Sequence, residues 1–355
     1  MKDGYAHIRA YLTSALKRRT REDVPPFLRP SSYWQDFVRF TNYVPKLPDE
    51  ELRLIRYHTW HLTSDHYQVY YFSEHPTRRA ILEEYEYFLE RIKTNIKLGE
   101  NQYGLGFDSD HGKISRDLMR YMMVMTDLVG HGVFATSGPQ VLLEIGGGYG
   151  GLARLSLTLN PETAFVLLDL EETLFYQAVY LTDHFGPDRV VLCSLDDSPF
   201  PTPKPGHIYL VPKSEYSRLL HTNFDLAINQ QSMQEMNREQ IDHYCAMLLK
   251  QARRFYSCNL SQHNPTVLER TGVVNGLNAY LLQKFPAVDW DSDKETAWIT
   301  RFVRANPKLD VITDEMIRMG SYVEAWARCY RSLFGVPMRR FSDSKIRRMI
   351  LRTKE

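Results

Sequence analysis

The stretch Val141–Leu155, VLLEIGGGYGGLARL, constrains the fold more than any other part of the chain. Five of the six residues after Ile145 are glycine, a composition that a helix interior or an ordinary core strand does not tolerate. An apolar run without alternation, Val141 to Ile145, precedes them and suits a strand buried on both faces of a parallel sheet. Leu152 to Leu159 follows with helical character and stops before Pro161. Strand, tight turn and helix therefore follow one another directly. At such a junction glycine permits positive φ, and the free N–H groups of a helix N-terminus face whatever lies against the bare main chain.

The same grammar continues downstream. "AFVLLDL" reads as a second buried strand, "EETLFYQAVYLTDHFG" as a helix stopped by Gly186, and "FDLAIN" as a third strand. "REQIDHYCAMLLKQA" is another helix and "RFYSCNL" another strand. Between Arg189 and Asn223 either "RVVLCSL" or "HIYLVP" suits the strand beside "AFVLLDL". "HIYLVP" is preferred, because the helix-sized spacer "KSEYSRLLHTN" separates it from the next strand. Strands alternating with crossover helices imply an α/β, Rossmann-like, mainly parallel sheet with helices on both faces, and ligands in such sheets bind beyond the carboxyl ends of the strands.

Residues 1–130 read as a mainly helical N-terminal domain, and residues 131–355 as the sheet-bearing one. A helix after Pro76, capped by Thr77, presents Ile81, Leu82, Tyr85, Phe88, Leu89, Ile92 and Ile96 as one stripe. A second helix begins near Asp49 with Leu52 and Ile55 inward. A third follows Ser115 through Leu118, Met122, Met125 and Val129 to Gly130. "GENQYGLGFDSDHGK" between them is expected to be a loop. Beyond Asn264, "VVNGLNAYLLQKF" looks helical, while "YVEAWARCYR" suits a late strand or a helix.

Composition narrows the classes. At 355 residues, 43% hydrophobic and 25% charged, the chain matches a globular protein larger than one typical domain. A net charge of +1, with basic clusters Lys17–Arg21 and Arg339–Arg348 near the ends, gives no footprint for nucleic acid. Apolar runs are too short for a membrane span, and "MKDGYAHIRAYL" has no uninterrupted apolar region for secretion, so a cytoplasmic location is expected. Cys193, Cys245, Cys258 and Cys329 are scattered as reduced thiols would be. His58 and His61 share a helical spacing but lack further ligands, which argues against zinc.

Two ligand patterns fit the turn. Gly146, Gly148 and Gly151 match the dinucleotide spacing; Gly146, Gly148 and Gly150 match that of S-adenosylmethionine enzymes. Asp169, 25 residues after Glu144 and at the end of the second strand, is placed to accept from both ribose hydroxyls in either case. Glu144 separates the two. A carboxylate there repels a pyrophosphate and attracts a cationic amino acid moiety.

Together "LLEIGGGYGGLARL", "FVLLDLEETLFYQAVYL", "FDLAINQQSMQEM" and "FYSCNL" resemble the class I S-adenosylmethionine-dependent methyltransferases, and more narrowly the sugar O-methyltransferase family of bacterial glycan and antibiotic-sugar gene sets. The resemblance covers roughly residues 138–265. It implies that Gly146, Gly148 and Gly150 form the cofactor loop, with Glu144 below the methionine portion and Asp169 on the ribose. Gly147, Tyr149, Leu170 and Gln231 complete the expected cofactor contacts. The N-terminal domain would cover the cleft and shape acceptor choice.

Methyl transfer to a sugar oxygen is an in-line displacement, and the hydroxyl must lose its proton. His263, after the last strand, is the first candidate base and Glu235 the second, among the polar residues Gln230, Gln231, Ser232, Gln234 and Glu235 that follow "FDLAIN". Asn264, His66 and Tyr67 are the candidate substrate contacts, the last two within the aromatic stretch "RYHTWHLTSDHYQVYYFSEH". No metal is expected, since carboxylates do not cluster at these strand ends. The partner is a small-molecule or glycan substrate, and a homodimer is allowed. An N- or carboxyl-methyltransferase, a nicotinamide dehydrogenase and a non-catalytic binding protein are the alternatives.

Overall fold

A computed structural model describes residues 4–21, 24–59, 62, 78–196, 199–259, 274, 277, 281 and 284. Its centre is a six-stranded, wholly parallel sheet built from β3 (Gln140–Ile145), β4 (Thr163–Asp169), β5 (Val190–Leu192), β6 (Ile208–Pro212), β7 (Leu226–Gln230) and β8 (Phe255–Cys258), in the order β5-β6-β4-β3-β7-β8. From β3 the chain passes to β4, β5 and β6 on one side, with β6 next to β4 and β5 at the edge, and then crosses to β7 and β8 on the other side, so β3 and β7 flank the point where connectivity reverses. That reversal opens a crevice at the carboxyl ends of the strands. The arrangement is a Rossmann-like α/β fold. Both "HIYLVP" and "RVVLCSL" are strands: the first lies beside β4, as expected, and the second is the edge strand outside it.

Two apolar layers sandwich the sheet. Leu142, Phe165, Leu167, Ile208, Leu210, Leu226 and Ile228 point to one face, where α5 (Arg116–Gly130), α6 (Gly151–Leu159) and α7 (Glu171–Phe185) cover them. Leu143, Ile145, Val166, Leu168, Tyr209 and Val211 point to the other and meet Ile241, Cys245 and Leu248 of α8 (Arg238–Gln251). Leu277 and Leu281 pack on that second face too, and with Lys284 they are helical as the sequence suggests. Because β3 and β4 are covered on both sides, their sequences run apolar without alternation.

Of the N-terminal elements, α1 (Ala6–Arg19) lies against α7, and α4 (Arg78–Ile92) against α5. Between them stand α2 (Ser32–Thr41) and the single turn α3 (Asp49–Leu52), where Leu52 and Ile55 are buried as read. Ser115 caps α5 by accepting from the Leu118 N–H. Apolar residues of α1, α4 and α5 belong to the same cluster as one sheet face, so the apolar interior is continuous from Tyr5 to Ile228.

Two expectations need correcting. The segment read as a loop before α5 contains an antiparallel hairpin, β1 (Phe107–Ser109) and β2 (Gly112–Ile114), with Phe107 and Ile114 buried. Its strands of three residues are too short to show a period of two in sequence. Ile96 lies beyond α4 and is exposed, since the helix ends at Ile92 and Lys93 takes a left-handed φ of 59°. Thr77, the expected cap, lies outside the described residues, as does "YVEAWARCYR". No described helix is long and apolar enough to cross a membrane.

Leu143 is fully buried at the centre of β3. Leu143→Ala is expected to destabilise the chain by about 2–5 kcal/mol, by lost transfer energy plus a cavity between sheet and α8, measured by urea denaturation.

Candidate functional site

Register alone brings three polar side chains together. Glu144 pairs with Leu167 of β4 and with Ile228 of β7, so Asp169 and Gln230, each two residues further on, share its face of the sheet at the carboxyl edge. All three are buried. That face is the one covered by α5, which delivers Arg120 to the same place. The Arg120 Nη1 donates to Gln231 Oε1 at 2.8 Å, and its Nη2 approaches Asp117 Oδ1 at 3.7 Å.

The turn after β3 begins with Gly146, whose N–H donates to the Leu168 carbonyl, and is closed by the Gly150 N–H donating to Gly147 O. Its glycines do different jobs. At Gly147 a Cβ would fall 2.4 Å from Leu167 and 2.9 Å from Glu144 Oε2, so the residue is bare because the strand ends crowd it. Gly148 has φ +57° and its Cβ would meet nothing nearer than the Tyr121 hydroxyl at 3.6 Å. Here the main chain itself is presented to open space, as a ligand resting on it requires.

Electrostatics single out Glu144. Burial, and then the negative charge of Asp169, push its carboxyl up to about 8, while the guanidinium of Arg120 pulls the other way. Its Oε2 has no hydrogen-bond partner among the described residues. Asp169 is pushed up to about 7 by burial, against the N–H of Leu170 and the amide of Gln177, which it accepts at 2.7 and 2.8 Å. It does not cap α7, whose first flanking residue is Leu170, buried beside it. Gln177 also donates to Gly148 O at 3.0 Å and so couples the turn to the acid.

Gln230 stands among the polar residues expected after "FDLAIN", whereas Ser214 and Lys213 at the same edge escaped the sequence reading. Neither amide atom of Gln230 finds a partner among the described residues, and the same holds for the buried Ser214 hydroxyl. Lys213, directly after β6, is buried, and its Nζ reaches the Arg29 carbonyl at 3.4 Å. Burial lowers it to about 8 despite the neighbouring charges of Glu171 and Asp169. Buried polar atoms without partners are rare in proteins and mark places where something else binds. Lys213 was detectable as a charge at the end of an all-apolar strand. Asp117 and Arg120 were detectable as charges three apart in a helix rich in apolar residues, which also carries Arg116 and Asp127.

The remaining candidates divide. Gln231 sits at the crevice with an unusual φ of +56°, its N–H donating to Cys258 O; for a side-chain-bearing residue that backbone is costly and clusters at functional sites. Tyr149 points away from the open side of the turn: it is buried and donates to Glu100 Oε1 at 3.1 Å. Glu235, on a short helical turn after β7, accepts from Trp34 Nε1 at 2.9 Å, while its carbonyl accepts from the Ser31 hydroxyl. His263, Asn264, His66 and Tyr67 lie outside the described residues. His58 is buried with Nδ1 at 3.0 Å from the Tyr43 hydroxyl and is lowered to about 4 by burial. Among the described residues no group of three His, Cys, Asp or Glu is arranged to hold a metal.

Glu144 holds its proton far more tightly in the folded chain than in the unfolded one, where a carboxyl titrates near 4.5. The folded state therefore binds more protons between these values, and stability falls as pH rises from about 4.5 toward 8. Glu144→Gln, which keeps the shape without the charge, is expected to match the wild type near pH 5 and to exceed it in stability by about a few kcal/mol at pH 8.5. Thermal unfolding of both proteins at the two pH values checks the sign.

No protein-family model matches the chain, and no curated protein matches it in sequence.

Proposed function

We propose that the chain is an S-adenosylmethionine-dependent methyltransferase that acts on a sugar hydroxyl. The observation that carries the cofactor half of this reading is the Glu144 carboxyl beneath the glycine turn, with the guanidinium of Arg120 near enough to act on it. An anionic and a cationic group side by side complement the ammonium and carboxylate of an α-amino acid. A pyrophosphate needs only the cation. Support for the sugar half comes from the resemblance of four segments in order to the sugar O-methyltransferases.

The residues present suit the group. Among the described residues Glu144 lacks a partner for one oxygen and Gln230 for both amide atoms, and Gly148 offers open main chain. Asp169 is assigned the ribose: each carboxylate oxygen keeps a lone pair beyond those given to Leu170 and Gln177. Lys213 and Ser214 stand next to Asp169 through the Asp169–Pro212 pairing and are assigned the base. When bound, S-adenosylmethionine supplies an electrophilic methyl carbon attached to a sulfonium.

The chain's own part is to orient the two reactants, exclude water and take a proton. The crevice is walled by the segment from Phe27 to Trp34. Its Phe27 and Arg29 carbonyls accept from Gln240, Arg29 also accepts from Lys213, and Ser31 and Trp34 reach Glu235. A wall of this kind keeps water from competing with the acceptor hydroxyl. Proton removal is assigned to His263, which follows β8 in sequence, with Glu235 as the second candidate.

A ligand that sets its ammonium group against Glu144 binds the ionised carboxylate and must displace its proton. The affinity for S-adenosylhomocysteine, followed by calorimetry, is therefore expected to rise with pH up to about 8 and then level. Glu144→Gln should weaken it about tenfold or more at pH 8 and remove the pH dependence. A pyrophosphate ligand such as NADH would show the opposite trend. Absence of S-adenosylhomocysteine binding at every pH, with NADH binding in its place, would sink the proposal.

A further inference from the structure

A turn with five glycines in six residues is the part of a chain that loses most conformational freedom when it is ordered. A ligand that had to impose that order would bind weakly, and pre-organisation removes the cost. The turn has one side chain by which it can be held, Tyr149, and the residues that hold it come from elsewhere in the chain. The Arg56 guanidinium stacks 3.5 Å from the centre of the Tyr149 ring. The Tyr149 hydroxyl donates to Glu100 Oε1 at 3.1 Å. Edge-on contacts from Tyr121 and Tyr180, at 5.7 and 4.8 Å between centres, close the remaining sides.

The clamp is itself fixed. Arg56 is 1% exposed; its Nε donates to Glu100 at 2.9 Å, Nη1 to the Thr59 hydroxyl at 2.7 Å and Nη2 to Asp117 at 3.0 Å. Charges this deeply buried are tolerated only when each is matched, and a matched set is rigid. Glu100 is also anchored from the hairpin side, its Oε2 accepting from the Leu105 N–H at 3.2 Å.

We propose that Arg56 and Glu100 are positioning residues that hold the glycine turn, through Tyr149, in the shape its ligand needs, so that affinity at the turn is set from the N-terminal part of the chain. The identity of the ligand rests on the reading above; the clamp does not. Tyr149→Phe removes only the hydroxyl, and Arg56→Lys keeps a charge beside Glu100 while losing the flat stack. Both are made in the full chain and compared with the wild type by S-adenosylhomocysteine calorimetry and by amide hydrogen exchange.

The expected result is a dissociation constant raised about tenfold in each variant, with faster exchange confined to Gly147–Gly150 while β3 and β4 keep their protection. Unchanged affinity and unchanged exchange in a folded variant would overturn the clamp. So would exchange that rises throughout the sheet in step with lost stability, because that is the mark of ordinary core packing. If the wild type binds no S-adenosylhomocysteine, the functional reading fails, and exchange alone decides the clamp: faster exchange confined to the turn upholds it, any other pattern ends it.

Discussion

A carboxyl group with a missing partner, sealed at the end of the central strand, governs the design of this molecule. Glu144 has strands on both sides, Leu167 and Gly147 over it, and a second acid, Asp169, on the same face. A carboxylate in such surroundings either keeps its proton or finds a cation. The fold supplies part of a cation in Arg120 and leaves the rest of the demand unmet. Stability is sacrificed locally at a point where the strand order reverses, the pattern expected of a functional site and not of a structural one.

The N-terminal elements belong to this arrangement. α5 covers the sheet face that carries Glu144 and brings Arg120 to it, and α1 is tied to the start of α7 by Arg19, which donates to Glu171 and Glu172 at 2.6 to 2.8 Å. Arg18 pairs with Glu215 on the far side of β6. These pairs hold the C-terminal end of α1 at the neighbouring carboxyl ends of β4 and β6. Because they are half-buried or better, they orient the wall of the crevice more firmly than exposed pairs would.

Much of the sheet was legible because burial on both faces leaves a plain signature. β3, β4, β6 and β7 are short apolar runs broken by turn residues, and each was read near its true limits. The hairpin of β1 and β2 was not, since three-residue strands carry no period. At the site, Glu144, Asp169 and the glycines were visible as residues out of place in their surroundings. What the sequence conceals is pairing across distance. Arg120 meets Gln231 across 111 positions, and Tyr149 meets Glu100 across 49. Gln230 was read only as one of several polar residues after β7, and it stands out from them once its amide proves to be buried and, among the described residues, unmatched. Tyr149 shows the limit most plainly: its place in the turn suggested a ligand contact, and only its surroundings reveal that it faces inward.

The attachment of α1 has a consequence for how the chain assembles. Its partners Glu171, Glu172, Asp183 and Glu215 lie 152 to 197 positions later. At translation rates of roughly 5–20 residues per second, α1 waits on the order of ten seconds or more for a docking surface to exist. Throughout that interval Ile8, Leu12 and Ala15 have no sheet-side layer to bury them. Such non-local closure is slow, and it makes a helix synthesised long before its partners a late piece to lock, a natural client for chaperones until the sheet behind it is complete.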